Sequence, residues 1–195
     1  MKQEIDTQAW IQAGFNELAS NGVGGIRVEV LATQLGVTKG GFYRRFKDRR
    51  ALLDAILDDW AHGRVAAVER LGERSKGEAP RERIRMVARV YTERVSVQGM
   101  AIELAIRQWA RTDRAAAAAC KDVDEARLRI GAQLYRDLGF SPAEAKDRAI
   151  FFYSFLFGQS LLFLRFGSRK FASLTAAGTN LVMELPAEIS KGTAR

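Results

Sequence analysis

The sequence predicts an all-α fold: an N-terminal three-helix bundle that contains a helix-turn-helix, followed by a C-terminal helical domain, with about nine helices in total. Apolar residues recur at spacings of three and four along most of the chain, which is the period of a helix. The alternating β-branched runs typical of strands are missing. The chain has 195 residues, 47% of them hydrophobic, which is enough to bury the core of one large or two small domains.

Two amphipathic helices begin the chain. The first ends at Asn21 and Gly22, a pair typical of a helix stop. The second covers residues 28–35, and Gly36 follows it in the position expected of a helix C-cap. The apolar stripe of the first helix consists of Trp10, Ile11, Gly14, Phe15 and Leu18.

A short helix and a long helix come next. Thr38 can cap a third helix that ends at Tyr43 or Arg45, and Asp48 can cap the fourth. The fourth helix presents an apolar face to a core, as its spacing indicates. That face consists of Leu53, Ile56, Leu57, Trp60 and Ala61.

The second half of the chain is predicted to begin at a polar segment, residues 72–80, which is rich in turn formers. Helix five follows it and is broken by Gly99. Helix six covers residues 102–110, where Glu103 and Arg107 have the spacing of a helical ion pair.

Three further helices complete the chain. Asp113 caps a long helix seven. Residues 141–144 read Ser-Pro-Ala-Glu, which is a capping box with proline at the first helical position, so helix eight starts there and runs to about Phe166. A last helix covers residues 170–184 and ends before Pro186.

Composition narrows the class of function. Cys120 is the single cysteine and no secretion signal precedes the first helix, so we expect a cytoplasmic protein without disulfides. The longest apolar run, residues 150–166, contains Gln159 and Arg165 and is too short to span a bilayer. His62 is the only histidine, so neither a metal site nor another cofactor is predicted, and acid–base catalysis has little support.

Helices two and three have the lengths and the turn of a helix-turn-helix, whose second helix enters the DNA major groove. Gly40 and Gly41 each cost about 1 kcal/mol relative to alanine inside a helix. Without a Cβ, however, the backbone can approach a phosphate or a base edge closely. These features together favour DNA binding over the alternative of a solvated charged turn.

Positive charge is concentrated at the same place. The net charge of +8 favours a polyanionic partner, and six cations and one anion lie between Lys39 and Arg50. Arg49 and Arg50 occupy the first turn of helix four, where the macrodipole disfavours each cation by roughly 0.3–1 kcal/mol. A phosphate partner would reverse that sign.

The stretch VLATQLGVTKGGFYRRFKDRRALLDAIL, residues 30–57, resembles the DNA-binding signature of the TetR family of bacterial transcriptional regulators. The clear resemblance covers about residues 8–60. It implies a DNA-binding domain over residues 1–47, a connecting helix over 48–71, and an effector-binding and dimerisation domain over 72–195. It further implies a homodimer through helices eight and nine that binds a palindromic double-stranded operator and releases it when a small molecule binds.

The resemblance also implies individual contacts with DNA. Thr38 and Lys39 would start the recognition helix, the Tyr43 hydroxyl would bond a phosphate, and Lys47 would pair with the backbone, while Phe42 and Phe46 would be core residues. The full predicted set is Arg27, Thr38, Lys39, Gly40, Gly41, Tyr43, Arg44, Arg45, Lys47 and Arg49.

Three of these positions depart from the family pattern. Gly41 stands where a threonine is common, and Arg45 stands where histidine is common, so the operator sequence is open. Arg45 can contact guanine in a bidentate manner or a phosphate. Arg27 replaces a threonine before helix two, so a phosphate contact is expected and the cap is lost.

The effector site is less defined by sequence. Gln159 interrupts an apolar helix and is either a ligand contact or a structural hydrogen bond across the dimer. Arg127 either pairs with Asp124 or anchors a carboxylate ligand, and Cys120 on the same helix is expected to be an inert core residue. The aromatic candidates either line a pocket for a hydrophobic or aromatic effector or belong to the core. The predicted ligand set is Tyr91, Trp109, Arg127, Phe152, Tyr153 and Gln159.

Three functions follow from these observations. The first is a repressor released by a small-molecule effector, although activation instead of repression stays open. The second is a constitutive DNA-binding regulator whose C-terminal domain only dimerises. The third, an all-helical enzyme, lacks a nucleophilic or metal-spaced cluster in the sequence and is set aside.

Overall fold

A computed structural model describes residues 5–91, 97–159 and 168–184. These residues form nine α-helices and one short 3₁₀ helix at Val23–Gly25, and they contain no strand, so the all-α prediction is confirmed. The α-helices are α1 (Thr7–Asn21), α2 (Val28–Gln34), α3 (Lys39–Tyr43), α4 (Arg49–Arg74), α5 (Pro80–Arg89), α6 (Val97–Trp109), α7 (Arg114–Asp137), α8 (Pro142–Gly158) and α9 (Ser168–Glu184). No helix of the described part has the length and apolar character needed to cross a membrane.

The chain forms two compact units. The first contains Met1–Arg64 and Ser96–Val123, and the second contains Val65–Val95 and Asp124–Arg195. Helices α4 and α7 therefore contribute residues to both. A compact unit is defined by packing and a functional domain by what it binds, so the functional boundaries after residues 47 and 71 stay predictions.

Side-chain caps start four helices, three of them at predicted positions. Asp48 accepts a hydrogen bond from the Ala51 amide at 2.8 Å, and Asp113 accepts from the Ala115 and Ala116 amides at 2.9 and 3.0 Å. Ser141 and Glu144 form the reciprocal capping box with Pro142 at the first helical position. A fourth cap, Asp6 at the start of α1, accepts from the Ala9 amide. These caps satisfy amides that have no partner within their own helix.

Other predicted boundaries need correction. Thr38 occupies the N-cap position of α3, but its side chain makes no capping hydrogen bond. Helix α4 continues to Arg74, so the predicted polar junction begins inside a helix. Gly72 is buried there, and a Cβ on it would lie 3.6 Å from the Ile130 methyl groups, so packing maintains the helix where composition indicated a break.

Gly99 does not break a helix, because it lies in the first turn of α6. Glycine is tolerated in a first turn, where the amides have no partner within the helix in any case. The predicted pair in the same helix is present, with Arg107 Nε donating to Glu103 Oε1 at 3.0 Å. The predicted end of helix eight near Phe166, and Pro186, lie outside the described residues.

In the first unit, α1 packs on α4 at a point where only glycine fits. A Cβ on Gly14 would lie 2.4 Å from Ile56 Cδ1, and Ile56 is fully buried. Gly14 thus allows a close approach of the two helices, and the Ile56 methyl group fills the space that a side chain would occupy.

In the second unit, α7 and α9 both pack on α8 through small residues. A Cβ on Gly131 of α7 would lie 3.0 Å from the Tyr153 ring, and one on Gly178 of α9 would lie 2.1 Å from the Phe155 ring. The buried Arg148 guanidinium lies 3.9 Å from the centroid of the Phe140 ring and donates to the Val182 carbonyl at 2.9 Å. Aromatic packing and the contacts of the buried Arg148 therefore contribute to the stability of this unit.

We expect Gly14→Ala to lower the free energy of unfolding by about 1–2 kcal/mol. Overpacking a core costs roughly 1–3 kcal/mol, and a Cβ 2.4 Å from Ile56 Cδ1 places this site in the upper half of that range, while replacing a helical glycine returns about 1 kcal/mol. Urea unfolding of the purified protein measures the change. Gly63→Ala is the matched control, because Gly63 lies in α4 with open space around it and should be stabilised by the same exchange.

Ile56→Val removes the methyl group that the new Cβ would meet. The double variant Gly14→Ala/Ile56→Val should therefore recover most of the loss relative to Ile56→Val alone. Equal stability of Gly14→Ala and the natural protein would contradict this account of the α1–α4 packing.

Candidate nucleic-acid interface

The turn between α2 and α3 is closed by backbone hydrogen bonds. The Val37 amide donates to the Ala32 carbonyl at 2.9 Å, and the Gly36 amide donates to the Thr33 carbonyl at 3.1 Å. Gly36 has φ +66°, the left-handed conformation that glycine adopts without steric cost. This is a Schellman motif, and it sets the direction in which the chain enters α3.

Helix α3 has only five residues and is held on its inner side by aromatic contacts. The Phe42 ring is fully buried, with its centroid 5.3 Å from the Trp10 ring of α1 and 5.4 Å from the Phe46 ring. The core roles predicted for Phe42 and Phe46 are therefore confirmed. On the outer side, the Tyr43 ring meets the edge of Phe42 at 5.2 Å while Tyr43 is 60% exposed. The packing leaves the Tyr43 side chain available to a partner.

Five of the cations predicted to contact DNA are exposed and lie in the first unit. Arg27, Lys39, Arg44, Arg45 and Lys47 all lie at the surface. Within the described residues, the side chains of Arg44 and Lys47 form no hydrogen bond or ion pair, whereas Arg45 Nε donates to the Ile5 carbonyl at 3.3 Å. The charges of Arg44 and Lys47 are thus available to a polyanion on one short segment of chain.

Lys39 is paired within the chain. Its ammonium lies 2.6 Å from Glu29 Oε1 in the first turn of α2, and both side chains are more than half exposed. The hydrogen bond from Lys39 holds the pKa of Glu29 below its usual range, and the same bond raises the pKa of Lys39. The Arg27 charge acts on Glu29 in the same direction. Sequence reasoning missed this pair, because its members belong to different helices.

Arg49 and Arg50 have partners inside the protein that the sequence did not reveal. Arg49 donates to the Ile26 carbonyl at 2.5 Å and to the Val23 carbonyl at 2.7 Å, joining the start of α4 to the turn before α2. Arg50 lies between Asp54 and Asp113, which hold its pKa above the usual value. These contacts offset the unfavourable helix dipole without a phosphate. The DNA contact of Arg49 stays a prediction.

A buried carboxylate joins α1 to α2. Glu17 is 8% exposed, and its two oxygens accept hydrogen bonds from Gln34 Nε2 at 2.5 Å and from Asn21 Nδ2 at 2.8 Å. The end of α2 is thereby fixed against α1. The sequence contained a signal for this buried carboxylate. Glu17 lies three residues after Gly14 and therefore at the edge of the apolar stripe of α1.

The two glycines of α3 are not required by packing within the protein. A Cβ on Gly40 would lie 3.6 Å from Thr38 Oγ1, and one on Gly41 would lie 3.7 Å from the Val37 side chain, both ordinary contact distances. The helix thus bears the cost of two glycines without an internal steric reason. Their predicted role, close approach of DNA to the backbone of α3, stays a prediction.

The predicted effector residues fall in different units. Trp109 lies in the first unit, and Tyr91, Arg127, Phe152, Tyr153 and Gln159 lie in the second. Phe152 is fully buried, and the Tyr91 ring meets the edge of the Tyr153 ring at 6.0 Å. These three aromatic residues belong to one packed cluster in the second unit.

The two polar members of that set have partners inside the chain. Arg127 is 3% exposed, with Nη1 3.6 Å from Asp124 Oδ1 and its guanidinium 4.8 Å from the Phe157 ring centroid. The Gln159 side chain accepts from Thr175 Oγ1 at 2.7 Å and donates to the Phe155 carbonyl at 3.3 Å. Cys120 is buried in the first unit and forms no disulfide. Contacts of Arg127 and Gln159 with an effector stay predictions.

These features define a helix-turn-helix DNA-binding protein. A Schellman turn joins two helices, aromatic packing holds the short second helix, and cations are exposed on the surface. Residues 11–56 match the family model described as bacterial regulatory proteins, tetR family. This match assigns the DNA-binding region of the chain to the TetR family of bacterial transcriptional regulators. No curated protein sequence matches it.

Solved structures share the fold. A protein from Rhodococcus sp. assigned to the TetR family is 20% identical, with TM-score 0.71 over 91% of this chain and 98% of that one. The regulator FadR from Bacillus subtilis in complex with stearoyl-CoA is 16% identical, with TM-score 0.70 over 92% and 98%. A protein from Saccharomonospora viridis in complex with choline is 15% identical, with TM-score 0.73 over 88% and 93%.

We expect Gly41→Ala to leave the free energy of unfolding unchanged or to raise it by up to about 1 kcal/mol. The same change should weaken DNA binding by about 1–3 kcal/mol, since the methyl group would overpack a close interface. Thermal unfolding and fluorescence anisotropy with labelled duplex DNA measure the two effects. Gly63→Ala is the control for the anisotropy assay. Natural affinity in Gly41→Ala would show that DNA approach does not require this glycine.

Proposed function

We propose that the protein is a homodimeric repressor that binds a palindromic operator through its helix-turn-helix and releases it when a small molecule binds the second unit. The observation that carries the proposal is the surface around α3, where Tyr43 and the cations from Lys39 to Lys47 stand outside a rigid aromatic core. The protein acts as a regulator in the cytoplasm and not as an enzyme. Arg44 and Lys47 supply contacts to phosphate, and Arg45 is positioned on the recognition segment for a base or a phosphate.

Exposed apolar side chains on α8 and α9 support dimerisation. Ile150 and Phe151 are 42% and 48% exposed on α8, and Leu174 and Leu181 are 44% and 63% exposed on α9. Because α9 packs on α8, these side chains form apolar surface on two neighbouring helices, which a second copy of the chain would cover. A two-fold dimer presents the same surface from both copies and forms a closed four-helix interface.

The distance between the two helix-turn-helix regions of the dimer determines whether it binds the operator. Their recognition helices must lie about one helical turn, roughly 34 Å, apart to enter successive major grooves. An effector that changes this spacing lowers operator affinity by population shift. A hundredfold loss requires about 2.7 kcal/mol of differential binding between the two states of the dimer.

Two of the similar structures contain small molecules, choline in one and stearoyl-CoA in the other. For this chain we propose that the effector binds the second unit, with an apolar body against Tyr91, Phe152 and Tyr153. Arg127 then anchors a carboxylate, and Gln159 is a second polar contact. Trp109, the remaining residue of the predicted ligand set, lies in the first unit and is not part of this cluster.

A specific observation favours the second candidate function, a constitutive regulator whose second unit only dimerises. Phe152 and Tyr153 are buried in one cluster with the partly buried Tyr91 packed against it, and the Gln159 amide is bonded to Thr175 and Phe155 within the chain. The two candidates differ in one measurable property. A compound that releases the protein from its operator duplex exists only for the ligand-responsive repressor.

Selection of genomic fragments with the purified protein at two salt concentrations tests the proposed function. We expect enrichment of one palindromic site whose binding falls steeply with salt, since dimeric contacts neutralise many phosphates. Enrichment of no fragment above background would contradict specific binding and would leave the cations as a non-specific charged surface.

Two variants separate positioning from sequence recognition. Tyr43→Phe should weaken binding on every duplex by about 1.5–3 kcal/mol, the contribution of a hydrogen bond to a charged group, while its ring still packs on Phe42. Arg45→Ala should instead change the preferred sequence, with a discrimination of about 1–3 kcal/mol at one base pair. Anisotropy on the selected site and its single-base variants measures both. Equal losses on every duplex for Arg45→Ala would exclude base recognition by Arg45.

We expect Leu181→Glu to convert the dimer to monomers and to reduce operator affinity. A charge at an apolar interface must lose its hydration, whereas the same charge on an exposed monomer surface costs at most about 0.5 kcal/mol of stability. Sedimentation velocity measures the molar mass. Ala118→Glu adds the same charge to an exposed position of α7 and serves as the control. A stable Leu181→Glu dimer would contradict the proposed interface.

A further inference from the structure

Glu29 is an acidic residue paired with Lys39 on the proposed DNA-binding surface. Lys39 is the first residue of the recognition helix α3, and Glu29 lies in the first turn of α2. Their charged atoms are 2.6 Å apart, and the side chains are 58% and 60% exposed. The pair is therefore open to exchange with phosphate oxygens when DNA arrives.

We propose that Glu29 sets how strongly the protein discriminates its operator from other DNA, by holding the Lys39 ammonium at the start of the recognition helix. The inference rests on the proposed function, because it concerns the same DNA-binding surface. It assigns a specificity-determining role to a residue outside the predicted set of DNA contacts.

On DNA of arbitrary sequence, binding depends on charge and not on position. Each lysine that neutralises a phosphate releases counterions and contributes about 0.9 to the slope of log affinity against log salt. With Glu29 beside it, the Lys39 ammonium is already neutralised, and the carboxylate itself repels the DNA backbone. Glu29 thus weakens the binding that is common to all sequences.

On the operator, each protein group has one position. An ammonium already held at that position loses less conformational freedom on binding than one on a free lysine side chain, which samples many rotamers. Pre-organisation therefore compensates for the charge that Glu29 neutralises, but only in the complex with defined geometry. The result is a larger affinity ratio between the operator and other DNA.

The test compares Glu29→Gln with Glu73→Gln. Glu73 forms an equally exposed pair with Lys76 at 2.7 Å in the second unit, so the control removes the same charge from the same kind of ion pair. Anisotropy is measured between 50 and 200 mM salt on the operator duplex recovered by selection and on a duplex of the same composition in scrambled order.

We expect Glu29→Gln to steepen the salt slope on the scrambled duplex by about 0.9 for each of the two copies in the dimer, which is about 1.8 in total and raises that affinity roughly tenfold more at 50 mM than at 200 mM salt. Operator affinity should change less, so the operator-to-scrambled ratio at 50 mM salt should fall by up to about tenfold, while Glu73→Gln leaves the ratio unchanged. Thermal unfolding confirms that each variant is folded.

A double-mutant cycle with Lys39→Gln tests the route of the effect. In the Lys39→Gln background, Glu29→Gln should no longer lower the ratio. An unchanged ratio in Glu29→Gln alone, or an equal fall without Lys39, would overturn the inference. If the unsubstituted protein binds both duplexes equally, that result contradicts the proposed function. In that case the inference is tested separately, and an unchanged affinity of Glu29→Gln for the scrambled duplex would overturn it.

Discussion

The burial of the Phe42 ring is the constraint on which the DNA-binding surface depends. A helix of five residues is too short to be stable in water by itself, because nucleation costs more than so few hydrogen bonds return. Helix α3 has that length and contains two glycines. It persists because Phe42 is packed between Trp10 and Phe46, so its geometry is a property of the aromatic cluster and not of local propensity.

Polar contacts then fix the elements around this cluster. Glu17 holds the end of α2 against α1, and Arg49 holds the start of α4 against the turn before α2. Both contacts are partly buried, and a charged group in such a place has a defined geometry because it must keep its hydrogen bonds. Together with the Schellman turn at Gly36 they restrict the position of α3. The backbone positions of the exposed cations are therefore restricted as well. A rigid support of this kind is what allows a few exposed side chains to recognise one sequence.

The second unit has a different design. Its helices approach closely at Gly131 and Gly178, where aromatic rings occupy the space of absent side chains. Its buried cations, Arg127 and Arg148, lie against aromatic rings. The apolar side chains left exposed on α8 and α9 are as informative as the buried ones, since a lone subunit would hold them in water. Packing inside the unit and proposed packing between copies thus involve the same two helices.

The sequence by itself determined the helical class, the N-terminal helices and the caps at Asp48, Asp113 and Ser141. These features depend on interactions between residues at most four apart, which periodicity and capping rules describe. It also identified the cationic segment, because charge density is a property of composition. The Phe42 and Phe46 core was recognisable from resemblance and is borne out by burial.

Tertiary structure decided the rest. The contacts of Glu17 with Gln34, Lys39 with Glu29, Arg49 with the Ile26 carbonyl and Arg50 with Asp113 join different elements, and helical spacing carries no information about them. The same reason explains the misplaced boundary at Gly72, where packing on Ile130 outweighs a local preference of about 1 kcal/mol. Gly99 was misplaced for a local reason, because it lies in the first turn of α6, where glycine is tolerated. Whether a charged side chain faces DNA or a partner in its own chain is a question of three-dimensional distance, and only the folded structure answers it.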